Sequence, residues 1–347
     1  MSNIDNYNKN NKYNNSNSKT DGSRKSNASA DGTGVNSRSG RSRIAYQTLE
    51  ILEEGVYVNG YDRAVHIKED MEQAFQNSVL YRPSELSGLR EKLRKEGRIG
   101  ELATSRELQQ DTGPIAAHGK TTRIEVTSET TLAAAARLTL GEGKTDVVCL
   151  NFASAKNPGG GFLGGSQAQE ESLARATGLY PCIAQMQEMY EYNRKQRSCL
   201  YSDHMIYSPD VPVIRDDYDR LLDQYYTTSL ITAPAVNAGV VRERNEATDE
   251  EIKLVMKQRI RYVLEVAAAQ GHRTIVLGAF GCGVFRNEPA QVAAYFNEVL
   301  VEEGYRDYFE HIVFAIYDRS AGQRTLETFK RLLHWDEQGE SESTDIM

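Results

Sequence analysis

From about residue 121 the chain alternates between short apolar runs and longer amphipathic ones, and this alternation limits its fold more than any other feature. TTRIEVTS reads as a strand and ETTLAAAARLTLGEG as a helix stopped by glycine. DVVCLNFAS is an apolar run bounded by turn residues, the pattern of a strand buried on both faces. HMIYSPDVPVI and SLITAPAV read as further strands. TDEEIKLVMKQRIRYVLEVAAAQG is a long helix, with Thr248 and Glu251 as a capping box and Ile252, Val255, Met256, Ile260 and Val263 as its core stripe. TIVLGAFGCG is another buried strand, PAQVAAYFNEVLVEEG a helix between Pro289 and Gly304, HIVFAIYD a last strand and AGQRTLETFKRLLHW a last helix. Strands separated by helices imply an α/β fold: a mixed, mainly parallel sheet with helices on both faces. Ligands of such sheets bind beyond the carboxyl ends of the strands.

The rest of the chain is of a different kind. Its 347 residues allow one large domain or two small ones. Residues 1–43 are rich in Asn and Ser and nearly free of large aliphatics, so they are expected to form a disordered tail. That tail carries four Lys and four Arg against three Asp, leaving the remainder at −13 within a whole-chain charge of −8. An acidic body does not suit a protein that tracks nucleic acid through a broad basic face. Residues 44–120 read as a helical extension, with an apolar stripe at Ile44, Leu49, Ile51 and Leu52, a cap at Ser84 and a stop at Gly100. Residues 336–347 read as a flexible C-terminus. No apolar run is long enough to span a bilayer and no secretory signal is visible, so an intracellular, cytoplasmic protein is expected. Cys149, Cys182, Cys199 and Cys282 form no CxxC and no zinc-ligand spacing, as befits buried thiols in a reducing compartment.

Two glycine-rich loops follow predicted strands and carry the chemistry. The first runs from Asn157 through Gly159, Gly160, Gly161, Gly164 and Gly165 to Gln169, Glu170 and Glu171, directly ahead of the helical pattern ESLARATGLY. Five glycines in seven positions are costly unless something must approach the backbone closely, and their N–H groups suit phosphate oxygens. Acids in the first turn of a helix are ordinary, so Glu170 and Glu171 alone say little. Beside a glycine cradle they gain meaning: one carboxylate can accept from ligand hydroxyls while the other donates a proton. A like charge and a bound pyrophosphate favour the protonated form of such an acid. The second loop, Gly278 to Asn287, contains Gly281, Cys282, Gly283, Val284 and Phe285, and offers N–H groups for the other side of a diphosphate and a ring for a sugar face. GGGFLGG lacks the dinucleotide spacing, no Walker lysine follows, and GGSQA has no third glycine and no evident His partner. These absences set aside a dehydrogenase, an NTPase and a serine hydrolase.

NFASAKNPGGGFLGGSQAQEESLARATGLY resembles the signature of the poly(ADP-ribose) glycohydrolases, a triple glycine followed by Gln-Glu-Glu, and GAFGCGVFRNEP resembles the diphosphate loop of the family's microbial type. The resemblance covers about residues 44–335 and implies a three-layer macrodomain over residues 121–335 with a helical N-terminal extension. It implies hydrolysis of the ribose–ribose O-glycosidic bonds of poly(ADP-ribose), releasing ADP-ribose, without metal or cofactor. It implies that Glu171 protonates the leaving hydroxyl and then helps activate water, while Glu170 and Asn157 hold the distal ribose. Gly159, Gly160, Gly161 and Gln169 of the signature, with Gly281, Cys282, Gly283, Val284 and Phe285, would complete the substrate site. Poly-ADP-ribosylated proteins would be the targets, as in the DNA damage response, with a monomer and no membrane or direct DNA contact expected. An ADP-ribose-binding macrodomain without activity, or a hydrolase removing the last ADP-ribose from protein, are the alternatives.

Overall fold

The computed structural model describes residues 37–96 and 122–333. The tail up to residue 36, the stop expected at Gly100 and the C-terminal residues 336–347 lie outside the described residues. Helix α1 (Arg38–Glu54) opens on Ser37, whose hydroxyl accepts from the Gly40 amide at 3.0 Å, so helical structure begins inside the stretch assigned to the tail. Gly55, in the left-handed region at φ 73°, ends it.

The extension is only partly helical. Strands β1 (Val56–Val58) and β2 (Ala64–His66) form an antiparallel hairpin whose turn is held by Asn59, its Oδ1 accepting from the Tyr61 and Arg63 amides. Helix α2 (Lys68–Asn77) leads to β3 (Val79–Tyr81), which pairs antiparallel with the main sheet, and two short helices follow, α3 (Pro83–Leu86) and α4 (Leu89–Lys95). Strands of three residues are too short for alternation to register in the sequence. Ser84 does not cap: Pro83 takes the first helical position and the Glu85 carboxylate accepts from the Arg82 amide at 2.9 Å.

The rest follows the expected alternation: β4 (Arg123–Thr127), α5 (Thr131–Ala136), β5 (Val147–Phe152), α6 (Gln169–Ala176), α7 (Leu179–Ala184), α8 (Gln187–Lys195), β6 (Met205–Arg215), β7 (Leu221–Ala233), α9 (Ala238–Glu243), α10 (Asp249–Ala269), β8 (Thr274–Leu277), α11 (Pro289–Asn297), β9 (His311–Ala315) and α12 (Arg324–Leu332). The Thr248–Glu251 capping box of α10 is formed. The helix expected over ESLARATGLY is broken, because Thr177 is extended and bridges Val213 while Gly178 N donates to Pro212 O at 2.9 Å. Strand β7 begins well before Ser229, since it forms a long hairpin with β6.

The seven-stranded sheet has the order β3-β6-β7-β5-β8-β9-β4, antiparallel at β3–β6–β7 and parallel from β7 to β4. Alternate residues of the central strands serve opposite cores. Val148, Leu150, Ile275, Leu277, Ile312 and Phe314 pack with α10, α11 and α12. Val147, Cys149, Val276, Val313 and Ala315 pack with α5, α6, α7 and α8. This makes three α-β-α layers, as expected of the α/β class. The chain leaves β5 toward β6 and β7 and crosses only afterwards to β8, so β5 stands at the point where the winding reverses, and the crevice beyond its carboxyl end is the natural binding place.

Candidate active site

Both glycine loops emerge at that crevice. Gln169 fixes the first one. Its Oε1 accepts from the Phe152 amide at 2.8 Å, and its Nε2 donates to Leu150 O at 2.7 Å and to Thr131 Oγ1 at 3.0 Å. The amide thereby ties the start of α6 to the end of β5, so Gln169 acts here as a staple between elements.

The next two residues aim their carboxyl groups at the triple glycine. Glu170 is 2% exposed; its Oε2 accepts from the Ser154 amide at 2.7 Å and its Oε1 faces Asn151 Nδ2 at 3.4 Å. Burial pushes its carboxyl up to about 8, and the charge of Glu171 adds to this, against the hydrogen bonds from Ser154, Asn151 and Gly159. Glu171, half-buried, accepts from Gly161 N at 3.0 Å and from Ala168 N at 3.1 Å. The two side chains leave the helix about 100° apart, yet their carboxyls converge below Gly160. A Cβ added there would overlap Glu171 Oε1 and stand 3.4 Å from Glu170 Oε2. Gly160 itself lies at φ 57° and Gly159 at φ 69°. Gly160 is therefore required twice, by backbone conformation and by closeness to two carboxyl groups.

The first loop's amides serve the protein more than a ligand. Gly160 N donates to Asn157 O and Gly161 N to Glu171, and Gly159 N bonds Glu170. Asn157 stands exposed at the turn, its own amide donating to Ser154 Oγ at 3.3 Å.

The second loop complements it. Gly281, at φ 75°, has no room for a Cβ between Ala235 and Asn287. Buried Asn287 donates to Val236 O at 2.8 Å and Gly281 O at 3.1 Å, which pins the loop to the end of β7. Among the described residues, the N–H groups of Gly281, Gly283, Val284 and Phe285 have no hydrogen-bond acceptor. Val284 is 78% exposed. Burial pushes the Cys282 thiol up to about 12, which keeps it a thiol rather than a nucleophile. Phe285 packs against Tyr201 at 5.9 Å between ring centroids, and the ammonium of Lys156, just ahead of the first loop, lies 5.9 Å from the centroid of the Tyr201 ring. Phe152 and Phe280, at 5.7 Å, join the two loops at their roots.

The structure thus places the sequence-derived candidates on two neighbouring loops and the first turn of α6, with the Gln169 side chain turned to β5 and Thr131. It adds Asn151, Ser154 and Asn287, which sequence reasoning passed over. Asn151 had left a signal, a single amide in an otherwise apolar strand.

Residues 45–216 match the family model described as microbial-type PARG, catalytic domain. No curated protein matches. Among solved structures, poly(ADP-ribose) glycohydrolase from Thermomonospora curvata is similar at 45% identity and a TM-score of 0.75, with 85% of this chain and 99% of that chain covered. The same enzyme bound to the inhibitor ADP-HPD gives 44% identity and 0.73, over 84% and 99% of the two chains. The enzyme from Deinococcus radiodurans in complex with ADP-ribose gives 44% and 0.66, over 76% and 97%.

Proposed function

This chain belongs to the microbial-type poly(ADP-ribose) glycohydrolase family, and on that premise we propose that it hydrolyses the ribose–ribose O-glycosidic bonds of poly(ADP-ribose) with the Glu170–Glu171 pair as its proton machinery. The observation that carries the assignment of residues is the convergence of both carboxyls on Gly160, at the carboxyl end of the strand where the winding reverses. Glu170, whose carboxyl burial pushes up to about 8, holds its own proton at neutral pH beside Glu171.

Cleavage of a glycosidic bond passes through an oxocarbenium-like state and requires a proton on the leaving oxygen. Glu171, the more accessible of the two, gives that proton as the bond from the anomeric carbon to the leaving ribose oxygen breaks. Water then adds to the carbon and returns a proton to Glu171. Adjacent carboxyls on one helix turn cannot flank the bond from opposite faces, so one residue performs both transfers. Glu170 and Asn157 hold hydroxyls of the distal ribose. The unpaired amides of Gly281, Gly283, Val284 and Phe285 take the diphosphate, whose charge stabilises the cationic state. Phe285, braced by Tyr201, carries the sugar face.

Glu171→Gln keeps the shape and removes the proton. Its hydrolysis of poly(ADP-ribose) should fall by at least about 10²-fold, while ADP-ribose affinity stays within about threefold. Full turnover by this variant would overturn the assignment of Glu171. Supplying wild type with polymer and with mono-ADP-ribosylated protein in parallel separates polymer hydrolysis from removal of the last unit and from binding alone.

A further inference from the structure

We infer that helix α1 is part of the catalytic apparatus: Arg38, Arg41 and Ser42 are positioning residues that hold the first glycine loop and, through it, Glu171. The inference rests on the role proposed above for Glu171. Three successive carbonyls of the loop accept from this one helix. Ser42 Oγ donates to Leu163 O at 2.6 Å, Arg38 Nε to Gly164 O at 2.8 Å and Arg41 Nε to Gly165 O at 2.9 Å. Gly165, at φ 71°, lies directly against the helix backbone, where an added Cβ would overlap the Arg38 carbonyl oxygen. Ala45 of the helix packs with Phe162, Ala174, Tyr180 and Ala184.

The loop is held from its other side as well. Arg175 of α6, only 2% exposed, donates to Ser166 O at 3.0 Å, and its own carbonyl accepts from Thr48 of α1 at 2.7 Å. Residues 162–166 are thus gripped between α1 and α6. The two amides that bond the Glu171 carboxylate, those of Gly161 and Ala168, stand on either side of the gripped segment. Any shift of that segment pulls both donors away from Glu171. Among the described residues, the side-chain hydrogen bonds between α1 and the rest of the chain go to the first loop, to α6 and to β6 and not to the second loop, so the clamp governs the reacting groups and leaves the proposed diphosphate site intact.

The test uses the full chain with Arg38, Arg41 and Ser42 all replaced by alanine, a separate Gly165→Ala variant, and Gln47→Ala as control. Gln47 lies on the same helix but accepts from Arg215 at 2.9 Å, away from the loop. The triple and Gly165→Ala variants should lose about tenfold to hundredfold in kcat on poly(ADP-ribose), with ADP-ribose Kd within about threefold and Gln47→Ala unchanged. Amide exchange at Gly161 and Ala168 should quicken in both. Folded clamp variants with kcat within about twofold of wild type and unaltered exchange would overturn the inference. If the triple variant fails to fold, Ser42→Ala alone decides, with a severalfold loss of kcat that Ser42→Thr restores supporting the clamp, and no loss refuting it. A wild-type chain without polymer hydrolysis would overturn the proposed activity alone, and the exchange rates would then decide the clamp.

Discussion

Glu170 keeps its proton because protein atoms surround it where water would otherwise solvate the charge, and because a second carboxyl stands beside it. That has a consequence for stability. Between the ordinary 4.5 and about 8, the folded chain holds a proton at Glu170 that the unfolded chain has released. Stability therefore falls as pH rises through this window and levels off above it. Glu170→Gln removes the ionisation. Melting temperatures of variant and wild type should coincide near pH 4.5 and separate in the variant's favour by pH 8. Wild type and variant tracking each other across the whole range would refute the buried proton. Buried Asn151, whose Oδ1 has no donor among the described residues, can turn that oxygen toward the new amide. Gly160 offers a second residue-scale test. Gly160→Ala places a methyl group on the Glu171 carboxylate and forces alanine to φ 57°. A loss of about 1–2 kcal/mol, read from the denaturant midpoint, should accompany an activity loss larger than the unfolding explains.

At the scale of elements, the site depends on how α6 is joined to β5. The Gln169 side chain makes that joint with three hydrogen bonds. Gln169→Ala strips partners from the Phe152 amide and the Leu150 carbonyl and should cost about 1–3 kcal/mol in chemical denaturation. Elements with a long period and explicit caps, such as α10 between Thr248 and Ala269, were legible in the sequence because twenty-one residues repeat one apolar face. The break between α6 and α7 was not, because its cause is a pairing of Thr177 with Val213, thirty-six positions away, and no local pattern records it. Strands β1, β2 and β3 were missed for a related reason: each is short and acquires its identity from the strand beside it.

On the scale of the whole molecule, the extension and the α/β body share a core. Leu86, Leu89 and Leu93 pack in the same cluster as Val148, Leu150 and Ile231, and β3 closes one edge of the sheet. Three deletions should therefore behave differently. Removal of residues 1–36 should leave hydrolysis within about twofold of wild type. Removal of 1–43 takes Arg38, Arg41 and Ser42 with it and should abolish most activity. Removal of 1–120 exposes the β6 edge and uncovers apolar core, so size-exclusion chromatography should show aggregate rather than a folded monomer. A well-folded, active 121–347 fragment would refute the shared core. The sequence by itself determined the alternation of strands and helices, the two glycine loops at strand ends and the carboxyl pair that opens α6. Each of these depends on neighbours along the chain. Tertiary structure alone decided that Glu170 is buried and Glu171 half-buried, that the triple-glycine amides bond within the protein while those of Gly281, Gly283, Val284 and Phe285 have no acceptor among the described residues, and that α1 grips the loop from outside. These are distances between segments brought together by folding, and burial, hydrogen bonding and proton affinity follow from such distances rather than from order along the chain.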